Sequence, residues 1–328
     1  MIKFRKLAAV LAAMMLSMTV VTPVSAATAI NDLTGQPIDA SLALQRPIAV
    51  MVDNSTIALP HFGTAEADIV YEIINSLANN RITRLMCVYK NWNAIPQIGN
   101  IRSARPTNIM LAEEYNAVLI HDGGPFYNNP YLANPANTNI SGSYTRVNNG
   151  KATEFTEYVM AGEAAARMAR AGVPSTYTIN PGPHFNFGVN NLAAIGGLPC
   201  TKITLPFPYN KSQLIYNPAT GLYDYYENGQ LHKDAVTGKT MSFTNVFVQV
   251  CTFTQYDQNG YLIFNVIGEN QIGFYCSGGA MVPVLWKKLS ESDKTRFYAA
   301  SGAEMVVNPG KTYIAIVPND TAGQVHWN

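Results

Sequence analysis

An α+β fold is what this sequence predicts: an α/β-like layered N-terminal domain followed by a β-rich C-terminal domain. Two observations carry that reading. Up to about residue 198, short apolar runs of strand length alternate with segments of helical pattern. After Gly196-Gly197 the helical periodicity stops, and short aromatic and β-branched runs follow one another between turn signals. Setting aside the first 26 of 328 residues leaves 302, enough for two domains of roughly 150 residues each.

The chain opens with Lys3, Arg5 and Lys6, an apolar run over residues 7–21, and Thr22-Pro23-Val24-Ser25-Ala26. A positive head, an apolar middle and small residues at Val24 and Ala26 describe a signal peptide cleaved after Ala26. The apolar run is shorter than the roughly 20 residues a membrane span needs, and no later stretch reaches that length. The first cysteine is Cys87, so the expectation is an extracytoplasmic protein with no lipid anchor. Residues 27–45 are polar and turn-rich and read as an extended leader.

In the N-terminal half, expected at residues 46–198, strands are predicted over residues 47–52, 69–74, 84–89 and 117–120. Pro106 and Thr107 open a helix over residues 107–115. Residues 125–150, rich in Asn, Pro, Gly and Tyr, form a long loop. Residues 154–171 read as one or two helices. In the C-terminal half, at 199–328, strands are predicted over 203–207, 214–216, 223–226, 246–253, 261–266, 274–275, 281–286 and 313–317. Asp257-Gln258-Asn259-Gly260 is a hairpin turn between two of them.

Charged residues are only 13% of the chain and hydrophobic ones 48%. Beyond residue 26 there are 19 basic against 21 acidic residues, which gives no reason to expect nucleic acid as a partner. No zinc or redox Cys pair, nucleophile elbow, metalloprotease helix or phosphate loop is present, so no cofactor and no metal are expected. Of the four cysteines, Cys251 and Cys276 both fall in strand-like runs. A disulfide between them and four buried free thiols both stand open.

Arg102-Ser103-Ala104-Arg105-Pro106 is the strongest local signal. Two arginines precede a helix start, where planar guanidinium donors and free N–H groups would suit an anion. His121-Asp122-Gly123-Gly124 follows a buried strand, and its glycines permit close backbone approach to a ligand. Asp53, Glu72 and Arg84 lie in or at the ends of apolar runs, where an unpaired charge is costly. A shared network with Arg102 or Arg105 would satisfy them, and Glu72 or Asp53 with His121 would make an acid–base pair. His232 and Asp234 would share a strand face or serve a hairpin loop; spacing shows no third metal ligand. Phe126, Tyr127, Tyr131 and Tyr144 either stack on sugars or pack their loop down. Lys287, Lys288 and Lys311 are expected to be solvated.

Several motifs together resemble the YerB-like family of bacterial envelope proteins and lipoproteins, a family of unknown function with N- and C-terminal domains. They are Leu33-Thr34-Gly35, residues 46–54, Ala67-Asp68-Ile69-Val70-Tyr71-Glu72, Ile82-Thr83-Arg84, Ile101-Arg102-Ser103-Ala104-Arg105-Pro106 and His121-Asp122-Gly123-Gly124. The C-terminal half adds His232-Lys233-Asp234, Asn245-Val246, Trp286-Lys287-Lys288 and Asn308-Pro309-Gly310-Lys311-Thr312. The resemblance implies a two-domain envelope protein and no particular reaction. This chain departs from it by lacking a lipid-attachment cysteine and by its Asn- and Tyr-rich loop after Gly124. The leading expectation is a binding protein for an anionic cell-wall polymer or glycan, held by Arg84, Arg102, Ser103, Arg105, His121, Asp122, Gly123 and Gly124. The alternatives are an envelope hydrolase or transferase and a structural interaction protein.

Overall fold

The computed structural model describes residues 27–328; the expected signal peptide lies outside them. The protein is strand-rich, with 39% of residues in strands and 15% in helices, and one sheet of eleven strands runs through both halves of the sequence. Numbered along the chain within this sheet, the strands are β1 (Ile48–Asp53), β2 (Ile69–Ile74), β3 (Thr83–Tyr89), β4 (Val118–His121), β5 (Asn139–Ser141), β6 (Leu198–Pro199), β7 (Asn245–Cys251), β8 (Gly268–Ser277), β9 (Ala280–Lys288), β10 (Arg296–Tyr298) and β11 (Thr312–Pro318). Their spatial order is β6-β9-β8-β7-β11-β2-β3-β1-β4-β5, with β10 beside β9. The halves meet where β11 pairs in parallel with β2, Thr312 opposite Ile69 and Ile316 opposite Ile73. The expected boundary near residue 198 is therefore not a break in this sheet.

Strands β1, β2 and β11 are buried along their whole length, which is why they read as largely apolar runs, interrupted in β2 by Glu72. Side chains of successive residues take opposite faces. Tyr71 looks to one face, where its hydroxyl lies 2.6 Å from that of Tyr115, just past the helix Pro106–Glu113. Phe247 lies on the same face, stacked on Phe185 and Phe297. Glu72 looks to the other face. A second sheet of six strands covers it, putting Tyr225 and Phe243 against Tyr313 of β11.

The helix Pro106–Glu113 and the C-terminal strands fall where the sequence predicts them, within a few residues. Phe253–Gln255 and Leu262–Phe264 form the expected hairpin around residues 257–260. Other expectations change. Residues 27–45 are folded: Thr28–Ile30 pairs with Pro37–Asp39, and between them Asp32 is buried against the Lys90 ammonium at 2.9 Å. Residues 154–171 hold a strand, Glu157–Met160, before the helix Glu163–Ala171. The long loop supplies edge strand β5. All four thiols are free and buried, and the neighbour of Cys276 is Cys200, with sulfurs 3.9 Å apart, not Cys251. Lys288 is 1% exposed and donates to the carbonyls of Glu291 and Asp293. Lys311 donates to the Ala65 carbonyl. Both are corrections to solvated charges.

Candidate functional site

An open cleft of about 850 Å³ lies where β1 ends and β3 begins. Asp53 is the last residue of β1, and Arg84 stands opposite it across the strand pair. The loop after the β2 end brings Asn75, Ser76, Asn79 and Asn80, and the β1 exit brings Ser55 and Ile57. Arg102 and Phe155 close one side; Gln258, Asn259 and Tyr261 come from the hairpin, and Tyr209 from the turn between two strands of the second sheet, Lys202–Thr204 and Gln213–Asn217. Asn79, Asn80 and Arg81 hold φ values of 53°, 53° and 55° in succession, a left-handed turn that Asn tolerates better than most residues. Arg81 is anchored by two hydrogen bonds to Asp320, at 3.1 and 2.6 Å.

Within the cleft, Asp53 accepts from the Ser55 N–H at 2.7 Å and from Arg102 Nε at 2.6 Å. Burial alone would raise its carboxyl pKa, but Arg84, Ser55 and Arg102 hold it below the ordinary range. Arg102 spends its other edge on Glu154 at 2.8 Å. Against the lowering effect of burial, Asp53 and Glu154 raise its pKa. Arg84 differs. Its guanidinium donates from Nη1 to the Ser103 carbonyl at 2.8 Å and makes no other side-chain hydrogen bond among the described residues. Burial and the nearby Arg105 pull its pKa down to about 9, which leaves it charged at neutral pH. The cleft residue Asn75 likewise has a buried, unpartnered Oδ1.

Of the predicted site residues, the fold brings Asp53, Arg84 and Arg102 into the cleft. Ser103 contributes its carbonyl to Arg84. Arg105 is 5% exposed and lies beneath Tyr261, its guanidinium 3.9 Å from the ring centre. The helix start behind it is capped by Asn108 and is not an open anion site. His121 is 2% exposed, donates from Nδ1 to the Gly123 carbonyl at 2.8 Å, and does not line the cleft. Burial pushes its pKa down. Asp122 lies 3.9 Å from Arg146. Gly124 serves packing: a Cβ there would come within 2.2 Å of Asn128. His121, Asp122, Gly123 and Gly124 thus form a turn that does not line the cleft.

Glu72 does not line the cleft either. It is fully buried and accepts from Thr83 and Ser212, each at 2.7 Å, from Tyr225 at 3.1 Å, and from Tyr313. Burial raises its pKa even against those hydrogen bonds. Among the described residues no arginine reaches it, because it looks to the opposite side of β2 from the helix and lies in from the strand end. Asp234 caps a turn, accepting from the N–H groups of Ala65, Val236 and Thr237. Of the loop aromatics, Tyr127 and Tyr144 are buried and Phe126 is 77% exposed, and none lines the cleft. The aromatics that do are Phe155, Tyr209 and Tyr261. Each is an ordinary apolar residue in its own segment, so no local signal marks it.

The family model described as "Protein of unknown function (DUF3048) N-terminal domain" matches residues 33–173, and that of the C-terminal domain matches residues 203–314. The chain belongs to the DUF3048 family. The YerB-like resemblance read from the motifs is that same relationship. "Putative lipoprotein YerB" of Bacillus subtilis (strain 168) is 23% identical over 318 residues, covering 89% of this chain and 87% of the relative. The crystal structure of the YerB protein from Bacillus subtilis matches with a TM-score of 0.78 and 21% identity, over 89% of this chain and 97% of that one. That match establishes the shared fold. The relative's description as a lipoprotein runs against the expectation of an unanchored chain, which gains no support. Both DUF3048 models contribute to the cleft: Asp53, Arg84 and Arg102 fall in the N-terminal match, and Tyr209, Gln258 and Tyr261 in the C-terminal one.

Proposed function

We propose that this DUF3048 member is an extracytoplasmic ligand-binding protein, and that its cleft takes a hydroxyl-rich ligand bearing an anionic group, the chemistry of a cell-wall glycan fragment. The observation that carries this reading is Arg84. A guanidinium on a cleft wall with a single hydrogen bond has donors in reserve for a carboxylate or phosphate. Asn75, Asn79, Asn80, Gln258 and Asn259 supply amide donors and acceptors for hydroxyl groups, and Tyr209 and Tyr261 supply ring faces. The lipoprotein description of the relative and the signal-type N-terminus support the location. The hydrolase reading loses its support, because Glu72 and His121 lie outside the cleft and Asp53 is held ionised by arginines.

The test is a thermal-shift and calorimetric titration of the chain with neutral glycans, glycans carrying carboxylate or phosphate, and inorganic phosphate. An anionic glycan at about 100 times its Kd adds roughly 2.7 kcal/mol to stability. That shift disappears in Arg84→Met while the circular dichroism is unchanged. Binding of the same glycan at equal strength by Arg84→Met would overturn the proposal, as would a response to neutral glycans alone.

A further inference from the structure

Behind the cleft floor lies a buried polar cluster that the proposed binding role does not use. It comprises His61, with no exposure, Glu227 at 3% and His232 at 4%. Glu227 ends the strand Leu222–Glu227 of the second sheet, and His232 follows the short strand Gln230–Leu231. His61 comes from the loop after β1. His232 Nδ1 lies 2.7 Å from Glu227 Oε1, and His61 Nδ1 lies 4.0 Å from the same oxygen. The imidazole centres are 5.0 Å apart.

The far sides of both rings are already committed. His61 Nε2 lies 2.7 Å from the Asp53 carbonyl oxygen. A carbonyl can only accept, so the hydrogen is on Nε2 and Nδ1 presents a bare lone pair toward the carboxylate. His232 Nε2 lies 3.1 Å from the Thr64 hydroxyl, which can accept or donate. Among the described residues, His61 Nδ1 and Glu227 Oε2 have no hydrogen-bond partner although both are buried. An imidazole lone pair and a carboxylate turned toward each other in a dry interior repel, and a shared cation removes the repulsion.

We propose that His61 Nδ1, His232 Nδ1 and the Glu227 carboxylate bind a divalent transition-metal ion of the zinc class, as a structural clasp between the end of β1 and the second sheet. Two imidazoles and a carboxylate form a donor set that zinc takes, at about 2.0–2.1 Å per ligand. Tetrahedral ligands at that radius stand about 3.3 Å apart. The present 2.7 and 4.0 Å separations straddle that value, so small side-chain shifts close the site. The Asp53 carbonyl and Thr64 hydroxyl are the outer acceptors that orient metal-bound histidines. On binding, the metal takes the place of any hydrogen on His232 Nδ1, and Nε2 carries the hydrogen that is donated to Thr64. Glu227 Oε2 or solvent completes the coordination. The inference is independent of the glycan reading, since His61 meets the cleft only through the Asp53 main chain.

The experiment strips the full chain with a chelator, dialyses it against micromolar Zn²⁺, and measures zinc per chain, melting temperature and the zinc-edge absorption spectrum. Stoichiometric zinc, a rise in melting temperature on the order of 5 °C and a shell of two imidazoles at about 2.0 Å are expected. Thr64→Val weakens zinc affinity about 10- to 100-fold, and Glu227→Gln, which removes a charged ligand, weakens it further. His326→Ala, at an exposed histidine, leaves it unchanged. Substoichiometric zinc, bound zinc that does not move the melting temperature, or a spectrum without two imidazoles overturns the proposal. The spectrum of the unaltered chain decides the matter even where a variant fails to fold.

Discussion

Asp53 and Glu72 are two acidic side chains of the same sheet, separated by strand β3, and the fold uses them in opposite ways. Asp53 sits at a strand end and meets two arginines. Its negative charge is therefore kept, and it pins Arg102 in an open cleft. Glu72 sits inside its strand and meets only neutral donors, the hydroxyls of Thr83, Ser212, Tyr225 and Tyr313 and the amide of Asn54. Burial raises its pKa, and it knots the two sheets together. Both look alike in sequence, each an acid in or at the end of an apolar run. The identity of the partner groups, more than burial itself, separates a charge available to a site from one spent on the core.

The largest expected effect tests the Glu72 side of that contrast. Glu72→Ala strands several buried hydroxyls at once, at a cost of more than about 3 kcal/mol in urea unfolding, since each unsatisfied group costs roughly 1–3. Glu72→Gln keeps most of the acceptor role and costs far less. Equal losses in the two variants would mean that the negative charge of Glu72 is what matters, and the contrast with Asp53 would fall.

On the Asp53 side, Arg102→Ala removes the 2.6 Å partner of a carboxylate that is 4% exposed. Arg84 remains nearby and Arg102 is itself part-exposed, so the loss is smaller, about 1–3 kcal/mol. A neutral result would show that Arg84 alone suffices to hold Asp53.

The pH dependence sharpens the contrast further, with opposite signs. Asp53 has a folded pKa below its unfolded value near 4. Its contribution is present above that value and lost as pH falls through the folded pKa. Glu72 has a folded pKa above its unfolded value. Its contribution is full below about 4.3 and is lost as pH rises through the folded pKa. Unfolding free energy measured against pH therefore declines less on the alkaline side in Glu72→Gln than in the parent. In Asp53→Asn it declines less on the acid side. The reverse assignment of slopes would exchange the roles of the two residues.

The smallest expected effect concerns Phe126, 77% exposed and away from the cleft. Phe126→Ala changes stability by less than about 0.5 kcal/mol and leaves glycan titrations unchanged. A loss of binding there would return the loop aromatics to the sugar-stacking role.

The cleft was partly legible in the sequence. Asp53, Arg84 and Arg102 stand out because charge is scarce and each borders an apolar run. His121 and Glu72 stand out for the same reason, and nothing local tells the two groups apart. The difference is one of face and depth: Arg84 is the cross-strand neighbour of Asp53 on the face opposite Glu72, and Glu72 lies two residues in from the end of β2. His61 and Glu227 carried no signal, since each is a lone polar residue until the second sheet folds over β1.

By itself the sequence determined the strand-forming runs, the helix at Pro106, the 257–260 hairpin and membership of the family. All of these rest on short-range alternation, turn chemistry and residue type. Tertiary structure alone decided that both halves share one sheet, through the pairing of residue 69 with residue 312. It also decided that a cleft is assembled from segments as distant as Asp53, Tyr209 and Tyr261. The physical reason is that a strand's own pattern fixes how much of it is buried. Which strand lies beside it, and so which charge meets which partner, is set only when the sheet closes.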